Sequence, residues 1–536
     1  MIVRMKHLDL VCVASEKDST LERLRALGAV HLDLVRSQGE AVLAAKGEID
    51  EAERAVRLIL KDRGQESNIE IRPKSIAEVL ALAADRATLL EEKDRLEREI
   101  KIYEPYGDFD PKLAQKILEK GIDLKDRLPA KLPQLRLSKM HEKLARIQNR
   151  IAVDTAKIVS ADEKQILKLY PQLADRMAFE QARELMSEKG AVAVLSGWVP
   201  ETKKENLLVA ARENGWGVLL RDPSENEMPP TLIQPPKIVK AVAALFEGLG
   251  ISVAYDESDV SVPFMCYFTL FFAMLVGDGA YGAIFLAATL FFRKKLPRSW
   301  LILMTVFSLA TILWGALSNT WFGAEIPWCT NWPTVRWLSG VDAEPGHQYD
   351  NMMFLCFTIG VTHLLLARLW NGLCKLNNRA CLSEFGWAGI ILFMYILTNT
   401  IVGIFPAIPT WCYWMFGVSF LALFLQAKGM DKGMLFLNAM SVLGDIISYV
   451  RLFAVGLASV QVAANFNSMA LNLGLPIWIK WLPLVLILLV GHGLNIAMAG
   501  LSVLVHAVRL NTLEFSNHKG ISWAGYSFKP FTKTKE

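Results

Sequence analysis

The residues able to do chemistry are few, and they sit where charge is costly. Within the apolar stretches of the second half stand Asp278, Asp445, Arg451 and Arg509, with Glu514 near a helix end. A charge at bilayer depth costs at least about 2.5–3.5 kcal/mol, so each needs a partner, water or a task. Lysines and arginines near helix ends escape by reaching the interface, which accounts for Arg368 and Lys480. Arg451 has no such exit: 18 largely apolar residues run from Gly433 up to it, and about 20 follow.

On a helix turning about 100° per residue, Asn438, Ser441, Asp445 and Ser448 lie at about +60° to +140° from Arg451. Gln461, Asn465, Ser468 and Asn472 lie at about −40° to −100°. The first set precedes the arginine and the second follows it, so two polar stripes occupy different depths on different flanks. Two water-filled pockets entering from opposite sides, divided by a fixed positive charge, leave this pattern. Hydrogen bonding to neighbouring helices is the competing explanation, and the arginine argues against it. Beyond Arg451 the small residues Ala454, Gly456, Ala458 and Ser459 thin the helix where a moving partner can pass closely.

The last apolar segment, Trp481–Val508, carries Gly491, Gly493 and Gly500, then His506, Arg509 and Glu514. As one helix, residues 478–517 span about 60 Å, about twice the hydrocarbon thickness. The helix must tilt or project, and Arg509 is either buried beside Arg451 or sits at the interface. His363 and His492 read as interhelical hydrogen-bonding residues.

The elements that hold these residues follow from composition. Over 536 residues, 52% are hydrophobic, 21% are charged and the formal net charge is +4. The charge is uneven: residues 1–260 hold 44 acids and 41 bases, residues 261–536 only 10 and 17. Water penalises exposed apolar surface wherever it lies. The split therefore excludes one soluble domain, a disordered chain and a nucleic-acid binder built on a basic surface. It predicts a mainly α protein with a soluble domain followed by a polytopic membrane domain. The N-terminus lacks the apolar run of a secretory signal. The cysteines show no CxxC pairing, and neither a metal site nor a cofactor is expected.

In the soluble half, 6–13 reads as a strand, 21–27 as a helix ending at Gly28, and 29–35 as a second strand. The pattern recurs as strand 191–199, helix 201–213 and strand 216–220, and the two units are expected to form a ferredoxin-like α/β lobe from 1–36 and 190–221. Between them, 39–63 and 78–104 run outward and 137–188 return as an antiparallel coiled-coil arm over 37–189, with a small cap at 105–135. The half ends at 221, and a proline-rich linker occupies 222–260.

The membrane domain, 261–536, holds apolar segments at 263–292, 299–321, 351–372, 385–405, 411–427, 433–472 and 478–510. Basic loops at 293–298, 375–379 and 428–432, with a tail carrying Lys519 to Lys535, place both termini in the cytoplasm. The segment 263–292 must then enter and leave on one side, and Gly277-Asp278-Gly279 supplies the turn. A hairpin there gives about eight membrane helices; the alternative is one continuous helix, which puts the soluble half outside or breaks the charge rule.

The sequence from Asp445 to Ala458, DIISYVRLFAVGLA, resembles the signature helix of the membrane stator subunit of V/A-type rotary ATPases, called subunit a or subunit I. Four further matches keep family order: GWVP at 197–200, YDESD with PF at 255–264, GDGAYG at 277–282 and HAVRLNTLEF at 506–515. The resemblance implies a cytoplasmic arm docked on peripheral stalks and a membrane half offering two half-channels to a rotating proteolipid ring. It implies that Arg451 meets a ring carboxylate and that Arg509 is the second arginine. ATP chemistry then belongs to other subunits, and this chain has no P-loop of its own. Ser459 and Ala499 stand where eukaryotic members have a histidine and a glutamate. Gln461, Asn465 and Asp278 are therefore candidates for the outer half-channel, beside Asn438, Ser441, Asp445, Ser448, Ser459, His506 and Glu514 as half-channel groups. The short cap and lack of insertions suit a prokaryotic member, moving H⁺ or Na⁺ in a bacterial or archaeal cell membrane. The alternative is a secondary transporter with a cytoplasmic regulatory coiled coil. It requires repeats and a midplane substrate site, and 263–400 and 400–517 show no repeat.

Overall fold

The computed structural model describes the chain except for residues 1, 34–38, 62–72, 74, 121–127, 130, 161–162, 225, 237–238, 341–346, 428, 475 and 534–536, and the side chains of 163–168, 431 and 477–479. The end of the expected strand 29–35, the middle of the cap, and Lys428 and Lys535 lie outside the described residues. Contacts divide the chain into two compact units, Met5–Asp222 with the tail from Lys529, and Met1–Arg4 with Pro223–Phe528.

The first unit begins with β1 (Met5–Val13) and α1 (Lys17–Leu27). Helices α2 (Glu40–Lys61), α3 (Ile76–Tyr103), α4 (Pro111–Glu119), α5 (Leu137–Ser160) and α6 (Glu163–Leu185) follow. It closes with β2 (Ser187–Lys189), β3 (Val192–Pro200), α7 (Lys204–Asn214) and β4 (Gly217–Arg221). The strands form one antiparallel sheet in the order β2-β3-β1-β4. In β1, Leu8, Leu10 and Cys12 alternate into a core with Leu21, Leu24, Leu195, Leu207 and Trp216, the period of two expected of a half-buried strand. Gly28 ends α1 with φ +57°, a conformation that favours glycine.

The expected second strand is not one. Residues 29–33 pack Val30 and Leu32 against the sheet but pair with it only through a bridge between His31 and Trp198. The free edge of β3 is shared: Ser187–Lys189 fold back through the turn at Gly190 and pair with Val192–Val194, leaving only the far end for His31. The expectation had placed 187–188 in the returning helix.

Among the helices, Arg86 bonds Thr155 and Lys143 pairs with Glu92 at 2.6 Å, so α3 and α5 run antiparallel. Arg176 with Glu48 and Tyr170 with Glu53 set α6 antiparallel to α2. At α4, Asp110 caps the helix through Lys112 N–H and also binds Arg136. These hydrogen bonds hold its carboxyl below the usual carboxylate range.

The tail joins the lobe. Phe531 N–H donates to the Val30 carbonyl at 2.7 Å, and Lys529 N–H to His31 Nδ1 at 3.0 Å. Burial lowers the His31 pKa, so the folded lobe disfavours the imidazolium. The stabilisation is full above about pH 6.5, the ordinary histidine value, and is lost as pH falls toward the lowered folded value. Acidification below about pH 6.5 is thus expected to speed amide exchange at Lys529 and Phe531, and His31→Gln to remove that pH dependence.

The second unit is helical. After α8 (Val242–Leu249) come α9 (Ser261–Val276) and α10 (Gly279–Phe291), bent 117° at their junction. The segment 263–292 is therefore broken and not one continuous helix. Next are α11 (Arg298–Ser318), α12 (Pro333–Ser339), α13 (Asp350–Cys374), α14 (Ala380–Val402) and α15 (Thr410–Gln426). The last are α16 (Asp431–Ile447), α17 (Val450–Leu471) and α18 (Ile477–Ser502), which continues through π turns to α19 (Ser516–Lys519). Among the described residues, five helices are long and apolar enough to cross a bilayer: α11, α13, α14, Lys432–Leu471 and Lys480–Lys519. At 17 residues α15 falls below that length. The protein is a multi-pass membrane protein.

Candidate functional site

The site is built on two departures from α-helical geometry. The first lies at Ser448–Tyr449, where the expected single helix 433–472 divides into α16 and α17. Tyr449 N–H bonds Ile446 O at 3.1 Å and Leu452 N–H bonds Tyr449 O at 3.0 Å, both three residues back. An α-helix would have given the Ser448 carbonyl to Leu452 N–H. Here that oxygen accepts from the Arg451 side chain instead, Nε to O at 2.8 Å. Tyr449 pins the break: its fully buried ring lies against Gly360, where a side-chain carbon would fall 2.6 Å from it. Its hydroxyl meets His363 Nδ1 at 2.9 Å, and the His363 ring stacks between Tyr267 and Phe515.

The second departure is at the end of α18. Residues Val503–Ala507 and Leu510–Phe515 are π-helical. Bonding five residues apart brings side chains five apart onto one face, and Arg509 and Glu514 are such a pair. Glu514 Oε1 accepts from Arg451 Nη2 at 2.7 Å and lies 3.4 Å from Arg509 Nε. The Glu514 side chain is 6% exposed, Arg451 25% and Arg509 56%. Two guanidinium groups thus share one buried carboxylate, leaving a net positive charge on the group. A carboxylate at this depth is retained only when so paired. Glu514 Oε2 and the neighbouring His506 Nδ1 are buried without hydrogen-bond partners among the described residues.

The remaining candidates scatter. Asp445 does not join the arginines; its Oδ2 meets His518 Nε2 at 3.0 Å. Ser448 Oγ donates to the Asp445 carbonyl at 2.7 Å. Asn438, Ser441, Gln461 and Asn465 are exposed on the surfaces of α16 and α17. The small residues divide: Ala454 and Ala458 lie on the exposed face, while Gly456 and Ser459 are buried. A side-chain carbon on Gly456 would fall 2.7 Å from the Met274 carbonyl oxygen, so this glycine sets the approach of α17 to α9. Ser459 hydrogen-bonds Asn495 on α18. Asp278 caps α10: Oδ1 accepts from Ala280 N–H at 2.8 Å and Tyr281 N–H at 3.4 Å, and Oδ2 from Gly323 N–H at 2.8 Å. Those bonds account for its burial without an ion.

Sequence reasoning missed several polar groups. Arg368 does not reach for the interface; it bonds Glu384 at 3.1 Å and His518 at 3.2 Å and lies over the Trp387 ring. Glu384 also binds Lys375 at 2.6 Å. Tyr281, Asn467 and Asn495 were also missed; with His492, which was read as an interhelical hydrogen-bonding residue, they join α10, α17 and α18. The sequence signal for all of these was a polar side chain within an apolar run, the signal that singled out Arg451.

A multi-pass helical membrane protein whose broken helices bring two arginines onto one buried carboxylate is the class defined by this geometry. No family model matches the chain. It is 32% identical over 403 residues to V-type ATP synthase subunit I of Borreliella burgdorferi, covering 69% of this chain and 64% of that protein. To V-type ATP synthase subunit I 1 of Treponema pallidum it is 27% identical, across 99% of this chain and the whole of that protein. To A-type ATP synthase subunit I of Methanocaldococcus jannaschii it is 25% identical over 461 residues, 75% of this chain and 64% of that protein. The chain belongs to the subunit I family of V/A-type ATP synthases, in its prokaryotic branch.

Proposed function

We propose that the chain is the static membrane subunit of a prokaryotic V/A-type rotary ATPase, carrying H⁺ or Na⁺ past a proteolipid ring while other subunits handle ATP. The observation that supports this best is Arg451, anchored mid-span by the Ser448 carbonyl and by Glu514. An arginine stays protonated in such surroundings and offers only charge and a planar set of donors. With Nε on Ser448 and one terminal nitrogen on Glu514, the other terminal nitrogen is left for a ring carboxylate. That encounter favours the ionised carboxylate, so the ion is released on one side of Arg451 before another loads on the other. The fixed positive charge also blocks direct leakage between the two half-channels.

In this reading α9 and α10 form a short-armed hairpin and α15 is a short crossing, which gives eight membrane helices. The exposed Asn438 and Ser441 line the cytoplasmic approach, and Gln461 and Asn465 the outer one. Residues 1–221 form the cytoplasmic arm, its antiparallel helices a coiled coil that docks on the peripheral stalks, with both termini cytoplasmic. Residues 222–260 link it to the channel domain at 261–536. Arg451→Ala tests the proposal in the assembled complex reconstituted into vesicles. Loss of ATP-driven ion uptake with subunit composition unchanged is expected; uptake at the wild-type rate would sink the assignment.

A further inference from the structure

The family's histidine and glutamate are replaced here by Ser459 and Ala499, so the path on the α17 side of Arg451 needs other groups. The structure brings a string of them together. Asn467 Nδ2 donates to the Phe322 carbonyl at 2.5 Å, which turns its Oδ1 toward His492 Nε2 at 3.1 Å. That contact places the imidazole proton on Nε2 and leaves Nδ1 to accept from the Tyr281 hydroxyl at 2.8 Å. The Tyr281 oxygen accepts from Asn495 Nδ2 at 3.0 Å. The same amide donates to the Ser459 carbonyl at 2.8 Å, and its oxygen accepts from Ser459 Oγ at 3.2 Å. Every donor in the string thus has an acceptor, and the order of the bonds fixes the orientation of each group.

Tyr281 is fully buried, Asn495 is 2% and Ser459 8% exposed, whereas His492 and Asn467 are half-buried. The string therefore runs from a partly open end at Asn467 to a closed end at Ser459. Ser459 lies eight residues past Arg451, about 12 Å along the helix at 1.5 Å per residue. His492 is the string's one imidazole, and imidazole is the side chain that exchanges protons near neutrality.

We propose that the ion path on this side of Arg451 runs along this string and that His492 is its proton-exchanging group. The proposal rests on the stator reading above and names the residues that serve one of its half-channels. In the exchange, a proton carried in by water of the path adds to Nδ1, the new N–H donates to the Tyr281 oxygen, and the Tyr281 hydroxyl hydrogen rotates off Nδ1; loss of that proton to water restores the neutral ring. Asp278, in the α9–α10 turn, is the charge that acts on His492. Tyr281 on α10 is the other titratable group facing it, and from α17 it faces only the uncharged Asn467, among the described residues.

The experiment is ATP-driven proton uptake by the reconstituted complex across about pH 5.5–8.5, bracketing the ordinary histidine pKa. His492→Gln keeps a hydrogen-bonding side chain and removes the titration. It is expected to slow uptake about tenfold or more and to abolish the inflection in the pH profile. Asn467→Asp, an isosteric change at the open end, sets a carboxylate beside Nε2 and is expected to move the inflection up by about one pH unit. Uptake within twofold of wild type in His492→Gln, or an unmoved inflection in Asn467→Asp, would overturn the proposal and leave the string as packing. Arg451→Ala, measured alongside, separates the two levels: if it alone stops uptake, the stator reading stands without this path.

Discussion

Arg451→Lys is expected to abolish coupled ion transport even though the charge is kept. The guanidinium acts in two directions, with Nε on the Ser448 carbonyl at 2.8 Å and Nη2 on Glu514 at 2.7 Å. A lysine brings one ammonium at the end of a flexible stem. It can satisfy Glu514 or the carbonyl, and in doing so it leaves the position from which a ring carboxylate is met. Each charge-assisted hydrogen bond lost is worth about 1.5–3 kcal/mol. At about 1.36 kcal/mol per tenfold in rate, one bond represents roughly one to two orders of magnitude. If the lysine turns to the carbonyl, Glu514 keeps only the longer contact to Arg509 at 3.4 Å, with its second oxygen unpartnered among the described residues, and a buried carboxylate so weakly paired is destabilised. Initial rates of ATP-driven uptake, with ATP hydrolysis measured on the same vesicles, check this. Uptake at more than about a tenth of the wild-type rate would show that charge alone suffices and that the fork geometry is incidental.

The parts of this site that are legible in the sequence are those that depend on cost. Arg451 stands out because nothing in an apolar run excuses a mid-span guanidinium, and Gly277-Asp278-Gly279 because a charge between two glycines marks a turn. What is not legible depends on backbone register. Angles at 100° per residue put Glu514 about 140° from Arg509; the π turns remove that separation, and no residue type announces them. The break at Ser448–Tyr449 is equally silent, because it is held by Gly360 and His363 from a helix some 90 residues earlier in the chain. In the α/β lobe the same limit applies to Ser187–Lys189. A polar tripeptide at the end of a helix becomes a strand because β3 offers it an edge, and residues 29–33 pair with that edge only at Trp198, through His31.

Asp278 separates cost from use, and its substitutions should divide accordingly. Its carboxylate accepts three backbone N–H groups, two of them buried, from Ala280 and Tyr281, and one half-buried, from Gly323. Around it the turn is closed by Thr320, whose hydroxyl donates to the Gly277 carbonyl at 2.8 Å and whose own carbonyl accepts from Gly279 N–H at 2.9 Å. Asp278→Ala strands all three donors, at about 1–3 kcal/mol each. That is comparable to the whole stability of many domains, so the expected result is loss of the subunit from the complex. Asp278→Asn keeps an oxygen for the helix cap, where asparagine serves as well as aspartate. It turns an amide toward Gly323 N–H, so one bond is lost and about 1–3 kcal/mol with it. The complex is then expected to assemble, to unfold at a lower temperature and to keep pumping, with its pH inflection displaced because the charge acting on His492 is gone. A carboxylate that exchanged protons in the path would give the opposite result, normal assembly with transport stopped, because asparagine cannot titrate. The pair of variants thus decides whether this buried charge belongs to the turn or to the ion path.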